Sequence, residues 1–308
     1  MKTKSIATTC AVLLLAACGQ TEQAPIETSV AADEAKRIAR SSIIVDTHID
    51  VPYRLEQRPD DISQATESGD FDYPRAVAGG LNAAFMSIYT PAELEAENKS
   101  REVAENLIDL VNDIVAGSPD KFAIALSVPQ VREHFAGDLI SLPLGMENGS
   151  PIERDLANVQ HFYDRGIRYI TLTHSLSNHI SDSSYDDNRQ WHGLSEFGKE
   201  VVREMNRVGI MIDVSHVSDD AFWQIMEITA TPVIASHSSA RHFTPGFERN
   251  MDDEMIRALG ENGGVIHVAP FRGYLFDSTD DELIAAIKAE RRAVNISEEY
   301  LYPFELYW

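Results

Sequence analysis

Three apolar runs in the middle of the chain each end in a histidine, and these runs constrain the fold more than any other feature. They are YITLTH at 169–174, IMIDVSH at 210–216 and PVIASH at 232–237, and an earlier run at 42–50 ends in His-x-Asp. Short apolar runs of this kind indicate buried strands. The C-terminal strand ends of parallel α/β barrels meet at one face and form the active site there. We therefore predict one metal site assembled from distant parts of the sequence.

Strand and helix patterns alternate from residue 42 onward, which indicates parallel strands joined by crossover helices. The predicted fold class is α/β, as a (β/α)8 TIM-like barrel. A doubly wound sheet is the alternative. The barrel fits better because ligands at several strand ends converge on one axis there, whereas in an open sheet they spread along an edge.

The N-terminal residues resemble a bacterial lipoprotein signal. Two lysines precede an apolar stretch that ends in Leu15-Ala-Ala-Cys18, and Cys18 would carry the lipid. An ordinary secretion signal with an incidental cysteine is the alternative. We expect a signal peptide at 1–17, a tether and lead-in at 18–41 that is flexible over 19–33, and the main domain at 42–308. The expected location is the bacterial cell envelope, with the chain anchored to the membrane and facing the periplasm.

Charge and cysteine content narrow the list of partners. The net charge of −23 disfavours binding to nucleic acid or to an anionic membrane surface, so the lipid alone would hold the chain at the membrane. The only cysteines are Cys10 and Cys18, and Cys10 would leave with the signal, so no intrachain disulfide is expected. A homodimer is one assembly that the sequence leaves open.

The strand ends supply a set of five candidate metal ligands. His48 and Asp50 are two residues apart on an extended segment, so their side chains point to the same side. The carboxylate of Glu147 ends an apolar run, and His216 and His237 end consecutive strands. Neutral imidazole and carboxylate suit zinc. We predict two Zn²⁺ ions per chain, bridged by Glu147, which together can activate a water and polarise a carbonyl.

Longer motifs around these residues resemble the renal (membrane) dipeptidase family of zinc metallopeptidases. The similar segments, in chain order, are DTHIDVP at 46–52, GMENG at 145–149, GIRYITLTHS at 166–175, GLSEFG at 193–198, DVSHVS at 213–218 and SHSSA at 236–240. The resemblance covers about residues 42–276.

The resemblance implies a metal-dependent hydrolase barrel that cleaves the peptide bond of dipeptides with a metal-bridging hydroxide. It places His48 and Asp50 on one zinc and His216 and His237 on the other. His174 matches the histidine that contacts substrate and stabilises the oxyanion. Arg249 matches the arginine that holds the free carboxylate of the dipeptide, and Arg241 is the fallback for that role.

The sequence departs from the family pattern at the end of the barrel. Seven inner-strand candidates are present, whereas a closed barrel needs eight, and no Gly-x-Asp-Phe-Asp-Gly-like segment follows residue 270. We therefore expect an incomplete barrel, C-terminally truncated, that lacks the proton-carrying aspartate of the eighth strand. A related amidohydrolase acting on another amide, and an inactive lipoprotein that binds metal or peptide, are the alternative functions. The similar segment GDFDY at 69–73 is interpreted as a connecting loop, and Asp70 is not predicted to be catalytic.

Overall fold

A computed structural model of the chain describes residues 27–275 and contains nine strands and eleven α-helices in that range. The strands are β1 (Ile44–Ile49), β2 (Leu81–Tyr89), β3 (Phe122–Ile124), β4 (Ile140–Leu142), β5 (Leu144–Glu147), β6 (Ile167–Thr171), β7 (Met211–Asp213), β8 (Ile234–Ser238) and β9 (Val265–Val268). The helices are α1 (Glu27–Ser41), α2 (Val51–Gln57), α3 (Tyr73–Gly79), α4 (Leu94–Glu97), α5 (Ser100–Gly117), α6 (Val128–Ala136), α7 (Ala157–Asp164), α8 (Glu196–Val208), α9 (Asp219–Ile228), α10 (Asp253–Glu261) and α11 (Arg272–Leu275). None of the helices in this part of the chain is both long and apolar enough to cross a membrane.

All strand pairs in the sheet are parallel, as the alternating pattern predicted. β1 pairs with β2, β2 pairs with both β4 and β5, and the order then runs through β6, β7, β8 and β9, while β3 lies beside β4. The apolar pattern at 139–147 predicts a single strand, but the structure divides this run into β4 and β5 at Pro143. Proline has no N–H to donate to a sheet ladder, and its carbonyl accepts instead from the N–H of Met86 at 2.9 Å.

The sheet curls like a barrel but does not close within the described residues. The hydroxyl of Thr47 in β1 donates to the carbonyl of Ser236 in β8 at 2.6 Å, which brings the first strand close to the eighth. β1 and β9 are nevertheless not paired with each other, and Ile44, Val45, Val265 and Val268 on these two strands are exposed. The seven predicted inner strands are confirmed, and the predicted absence of a closing strand holds over residues 27–275. The sequence pattern also predicts a helix at 280–294, but this segment and the apolar residues 300–308 lie outside the described residues.

The sequence pattern predicts helices that begin at Ser195, Ser218 and Asp252, and the helices that follow β6, β7 and β8 begin there, each with a side-chain cap. Ser195 Oγ accepts from Gly198 N at 2.9 Å, Ser218 Oγ from Ala221 N at 3.2 Å, and Asp252 Oδ1 from Met255 N at 2.8 Å. Such caps satisfy backbone donors that have no partner within the helix. Because each helix start is fixed by its own cap, the loops that precede these helices have defined ends.

Helix α1 overlaps the segment expected to be a flexible tether. The tether prediction covered residues 19–33, but the chain is helical from residue 27. The sequence AADEAKRIAR inside this helix consists almost entirely of strong helix formers. Glu34 and Arg37 also form an ion pair of 2.6 Å one turn apart. The prediction of flexibility is therefore wrong for residues 27–33, because local helix propensity outweighs the polar composition.

The segment GDFDY forms a connecting loop and a helix cap, as interpreted from its position. Asp72 is buried and caps α3 by accepting from Arg75 N at 2.8 Å, and it also pairs with the Arg75 guanidinium at 2.7 Å. Asp70 is exposed. The hydrogen bonds from Arg75, aided by the backbone N–H of Thr66, hold the pKa of Asp72 far below its usual range although burial opposes this.

We expect Asp72→Asn to lower the melting temperature by a few degrees, because the ion pair with Arg75 is lost while the amide oxygen can still cap the helix. The folded-state pKa is depressed, so the stabilisation is fully present above a pH of about 4 and is lost as acid protonates the carboxylate. In thermal unfolding scans, the difference in melting temperature between wild type and Asp72→Asn should therefore shrink as the pH is lowered. Asp70→Asn is the matched control and should melt like wild type; equal melting of all three proteins at pH 7 would contradict the assignment.

Candidate metal centre

The side chains predicted as metal ligands converge at the C-terminal end of the sheet. Glu147 ends β5, and its carboxylate lies among four imidazoles. Its Oε1 is 3.1 Å from Nε2 of both His216 and His237, and its Oε2 is 3.4 Å from Nε2 of His48. Asp50, directly after β1, has its Oδ1 3.5 Å from Nε2 of His48 and keeps an exposed side chain. All five predicted ligands are thus in one cluster.

The donor atoms form two groups that share Glu147. One group consists of His48, Glu147 and His237, and the other of Glu147, His174 and His216, with the ligand atoms of each group within 4.8 Å of one another. The sequence had paired His216 with His237, whose Nε2 atoms are 2.9 Å apart. A single carboxylate between two sets of imidazoles is the arrangement that a bridging ligand requires.

Electrostatics at the centre keep Glu147 charged and two of the imidazoles neutral. Burial alone would raise the pKa of Glu147, but the four imidazoles around its carboxylate, His48 first among them, hold that pKa well below its usual range. Burial, together with the positive charge of Arg249, lowers the pKa of His216, and burial lowers that of His237 to about 4. Neutral imidazole and ionised carboxylate are the forms that bind a metal.

A buried hydrogen-bond chain fixes the orientation and the tautomer of His237. Asp213, at the end of β7, accepts from Ser236 Oγ at 2.6 Å and from Thr171 Oγ1 at 2.5 Å, as well as from the backbone N–H groups of Ser215 and Ser236. Since the Ser236 hydroxyl proton points to Asp213, its oxygen accepts from Nδ1–H of His237 at 2.7 Å. Nε2 of neutral His237 therefore carries a lone pair.

That lone pair is directed at a carboxylate oxygen only 3.1 Å away. Two facing lone pairs repel each other unless a cation lies between them, so the donor set fits a metal ion. Hydrogen bonding of the second ring nitrogen to an outer partner is also the usual arrangement of metal-binding histidines.

The side chain of His48 is held by a tyrosine whose ring fits only because a neighbouring strand carries a glycine. Nδ1 of His48 is 2.9 Å from the hydroxyl of Tyr169, a fully buried residue of β6. A Cβ atom on Gly145 would lie 2.0 Å from the Tyr169 ring, so β5 must carry glycine at this position. The His48 ring in turn stacks on His237 with centroids 3.7 Å apart.

His216 has an unusual backbone conformation. Its φ is +69°, in the left-handed region that non-glycine residues rarely adopt. β7 ends at Asp213, and the chain turns at 214–216 before α9 begins. Strain of this kind persists where the surrounding contacts hold a side chain in place. Here those contacts are His237, Glu147 and the ring of His174, whose centroid is 4.3 Å away.

The cluster lies in a cavity of about 370 Å³. His174 lines this cavity, with Nε2 3.6 Å from Glu147 Oε1 and its ring 4.7 Å from that of Tyr89. The other walls are mainly aromatic and come from Tyr53, Tyr89, Tyr185, Phe271 and Tyr274. The volume suits a small ligand, and His174 is placed where it can contact one.

The two arginines considered for carboxylate binding lie outside the walls of this cavity. Arg249 is buried and donates to Ser238 Oγ and to the carbonyl of His237, each at 2.7 Å, and its guanidinium packs 4.9 Å from the centre of the Tyr274 ring. Arg241 forms a two-pronged ion pair with Asp219 at 2.6 and 2.7 Å. The role of Arg249 in substrate binding stays a prediction.

Asp46, two residues before His48, accepts from the backbone N–H of His48 at 3.0 Å and so has a structural role.

The remaining histidines are separate from the cluster. His134 contacts Ser141, and His161 pairs with Glu105. The exposed His192, the exposed His242 and the strand residue His267 are also absent from both donor groups, as is the buried His179.

The sequence did not reveal the residues that support the ligands. Tyr169, Ser236 and Asp213 lie inside the same apolar runs as the ligands, yet nothing in the local pattern connects them with particular histidines. The aromatic walls come from α2, the end of β2, the loop after β6 and the segment that ends in α11, and only the tertiary structure brings them together.

We expect Ser236→Ala to weaken divalent metal binding by about 10–100-fold, as is typical when the outer partner of a ligating histidine is removed. The measurement is a competitive Zn²⁺ titration against a chromogenic chelator. Ser239→Ala is the matched control, because the Ser239 hydroxyl donates to the carbonyl of Ala269 and contacts no ligand. Equal affinity in both variants would argue against the hydrogen-bond chain.

Comparisons with known proteins agree with this architecture. The model of the membrane dipeptidase family, peptidase family M19, matches residues 32–297. Dipeptidase 3 of Rattus norvegicus is 31% identical over 252 residues, which cover 79% of this chain and 50% of that protein. The chain thus spans about half the length of this relative.

Two solved structures share the fold. The probable dipeptidase PvdM from Pseudomonas aeruginosa superposes with a TM-score of 0.77 at 24% identity, covering 88% of this chain and 70% of that one. A metallopeptidase from Rhodobacter sphaeroides, liganded with a phosphinate mimic of the dipeptide L-Ala-D-Ala, gives a TM-score of 0.70 at 23% identity and covers 76% of each chain. With a family match over most of its length and a barrel-like sheet that carries the metal-ligand cluster, the chain belongs to the membrane dipeptidase family, peptidase family M19.

Proposed function

We propose that this chain hydrolyses the peptide bond of dipeptides with the help of two zinc ions. The observation that carries the proposal is the buried Glu147 carboxylate, which two groups of imidazoles share at the floor of the cavity. His48, Asp50 and Glu147 would hold one ion, and Glu147, His216 and His237 the other. Two ions held in this way supply Lewis-acid polarisation of the carbonyl and a nucleophilic water at neutral pH.

His174 is the residue that we assign to the reacting carbonyl. Burial lowers the pKa of His174, and the nearby positive charge of Arg249 acts in the same direction although Glu147 opposes it. A neutral imidazole that lines the cavity can donate one hydrogen bond to the developing oxyanion. Its contact with the Tyr89 ring and with His216 restricts the orientation of the imidazole before substrate binds.

Dipeptides are the proposed substrate class because of the family and the cavity size. A cavity of about 370 Å³ is large enough for a molecule of two residues. The related Rhodobacter sphaeroides metallopeptidase was solved with a mimic of a dipeptide. We further propose that Arg249 acts on the free carboxylate from behind Tyr274, through its positive charge.

The test is hydrolysis of unblocked dipeptides by the zinc-loaded chain. We expect turnover that chelation abolishes and zinc restores, together with about two zinc ions per chain by elemental analysis. Glu147→Gln should lose zinc and activity together. His174→Gln should keep its zinc and lower kcat by about 10²–10³-fold, as loss of an oxyanion donor does.

His242→Ala is the control for these histidine variants, because His242 is exposed and belongs to neither donor group. Dipeptides that are N-acylated or C-amidated separate a dipeptidase from an amidohydrolase of broader specificity, which would cleave them equally well. Stoichiometric zinc without hydrolysis of any substrate would instead identify a metal-binding protein and overturn the proposed activity.

For the location of the chain, we propose export and lipid attachment at Cys18. The support is the sequence Leu15-Ala-Ala-Cys18 after an apolar stretch. In a bacterial host, the wild-type chain should fractionate with membranes and incorporate labelled fatty acid, and Cys18→Ser should do neither. Cys10→Ser is the matched control and should behave as wild type. Recovery of the wild type in the soluble fraction without label would contradict the proposal.

A further inference from the structure

A second cavity lies at the same end of the sheet, beside the metal centre but separate from it. It has a volume of about 220 Å³ and shares no lining residue with the central cavity. Its walls come from the loops after β2, β5 and β6, and include the N-terminus of α5. The proposed dipeptidase activity assigns no role to any of its residues.

The N-terminus of α5 carries unsatisfied hydrogen-bond donors. This helix has 18 residues, and the residue before it, Lys99, makes no side-chain cap. The first N–H groups of a helix have no partner within the helix, and they carry a partial positive charge. Ser100, the first residue of α5, is only 4% exposed, and its hydroxyl has no hydrogen-bond partner among the described residues.

A histidine from the loop after β6 also contributes an unpartnered atom. His179 Nδ1 is 2.7 Å from Glu95 Oε1, and the backbone N–H of His179 donates to the same oxygen at 3.1 Å. The Ser195 hydroxyl donates to the His179 carbonyl at 2.7 Å, so the residue is fixed on several sides. The side chain is 2% exposed, and its Nε2 has no partner in the described part of the chain.

The charged groups in the lining leave a surplus of donors. Glu95 is occupied by the two N–H groups of His179, and Glu153 lies 3.5 Å from the guanidinium of Arg101. Arg154 is exposed and has no ion pair among the residues described. Because both acids already have partners, the donors that remain are the helix N-terminus, the Ser100 hydroxyl and the Arg154 guanidinium.

We propose that this cavity binds a small oxyanion, that is, a carboxylate or a phosphate group. Helix N-termini combined with hydroxyl and guanidinium donors are a common arrangement at such sites. His179, held by Glu95 and Ser195, forms a fixed wall of the cavity. This binding does not depend on the proposed hydrolytic activity.

The test is isothermal titration calorimetry of the full, metal-free chain with sodium phosphate and, separately, with sodium acetate. Sodium chloride keeps the ionic strength constant, and removal of metal prevents anion binding to zinc. We expect saturable binding at one site per chain. Saturation by phosphate, by acetate or by both supports the proposal, and the stronger ligand identifies the anion.

Variants locate the site. Ser100→Ala and Arg154→Ala should each weaken binding by about tenfold, because each loses a hydrogen bond to a charged group. Arg132→Ala removes an exposed arginine from α6 and is the matched control, with unchanged affinity expected. Ser100 is buried, so Ser100→Ala can weaken binding by disturbing the fold. Arg154 is exposed, so weaker binding in Arg154→Ala reports the loss of a contact with the anion. The absence of saturable binding for both anions, or wild-type affinity in Arg154→Ala, would overturn the proposal.

Discussion

The buried carboxylate of Glu147 is the interaction on which the rest of this centre depends. A carboxylate with 3% exposure is costly in a protein interior unless positive or hydrogen-bonding groups surround it. Here four imidazoles from four different strand ends provide these groups. The convergence of β1, β5, β6, β7 and β8 at one end of a curled parallel sheet is what makes this possible.

The support of the ligands is built into the strands themselves. Asp213 at the end of β7 orients His237 through Ser236, and Tyr169 in β6 holds His48. Both supports are fully buried. Asp213 lies on the strand next to that of His237, whereas Tyr169 reaches His48 from β6, which is separated from β1 in the sheet by β2 and β5. The outer partners fix the imidazole rings before any metal binds. The conformational entropy of these side chains is therefore lost when the protein folds and not when it binds metal.

The two cavities use the same end of the sheet for different chemistry. The central one has acceptors at its floor, where cations bind, and aromatic walls. The smaller one presents donors from the N-terminus of α5, Ser100 and Arg154. The loops after β2, β5 and β6 separate them, which illustrates how loops on a shared parallel scaffold carry distinct sites.

Much of this arrangement could be predicted from the sequence, because strand periodicity and ligand type are local properties. The apolar runs predicted the seven inner strands, and the histidines and acids at their ends predicted the residues that meet in one cluster. The helix starts at Ser195, Ser218 and Asp252 were also predicted, and each of these residues caps its helix. Tertiary structure alone decided the division of the predicted 139–147 strand at Pro143 and the stacking of the His48 ring on that of His237. It also decided the support of His237 by Asp213 and the position of Arg249 behind Tyr274. These features depend on contacts between residues far apart in the chain, and such contacts exist only once the strands have been brought into register.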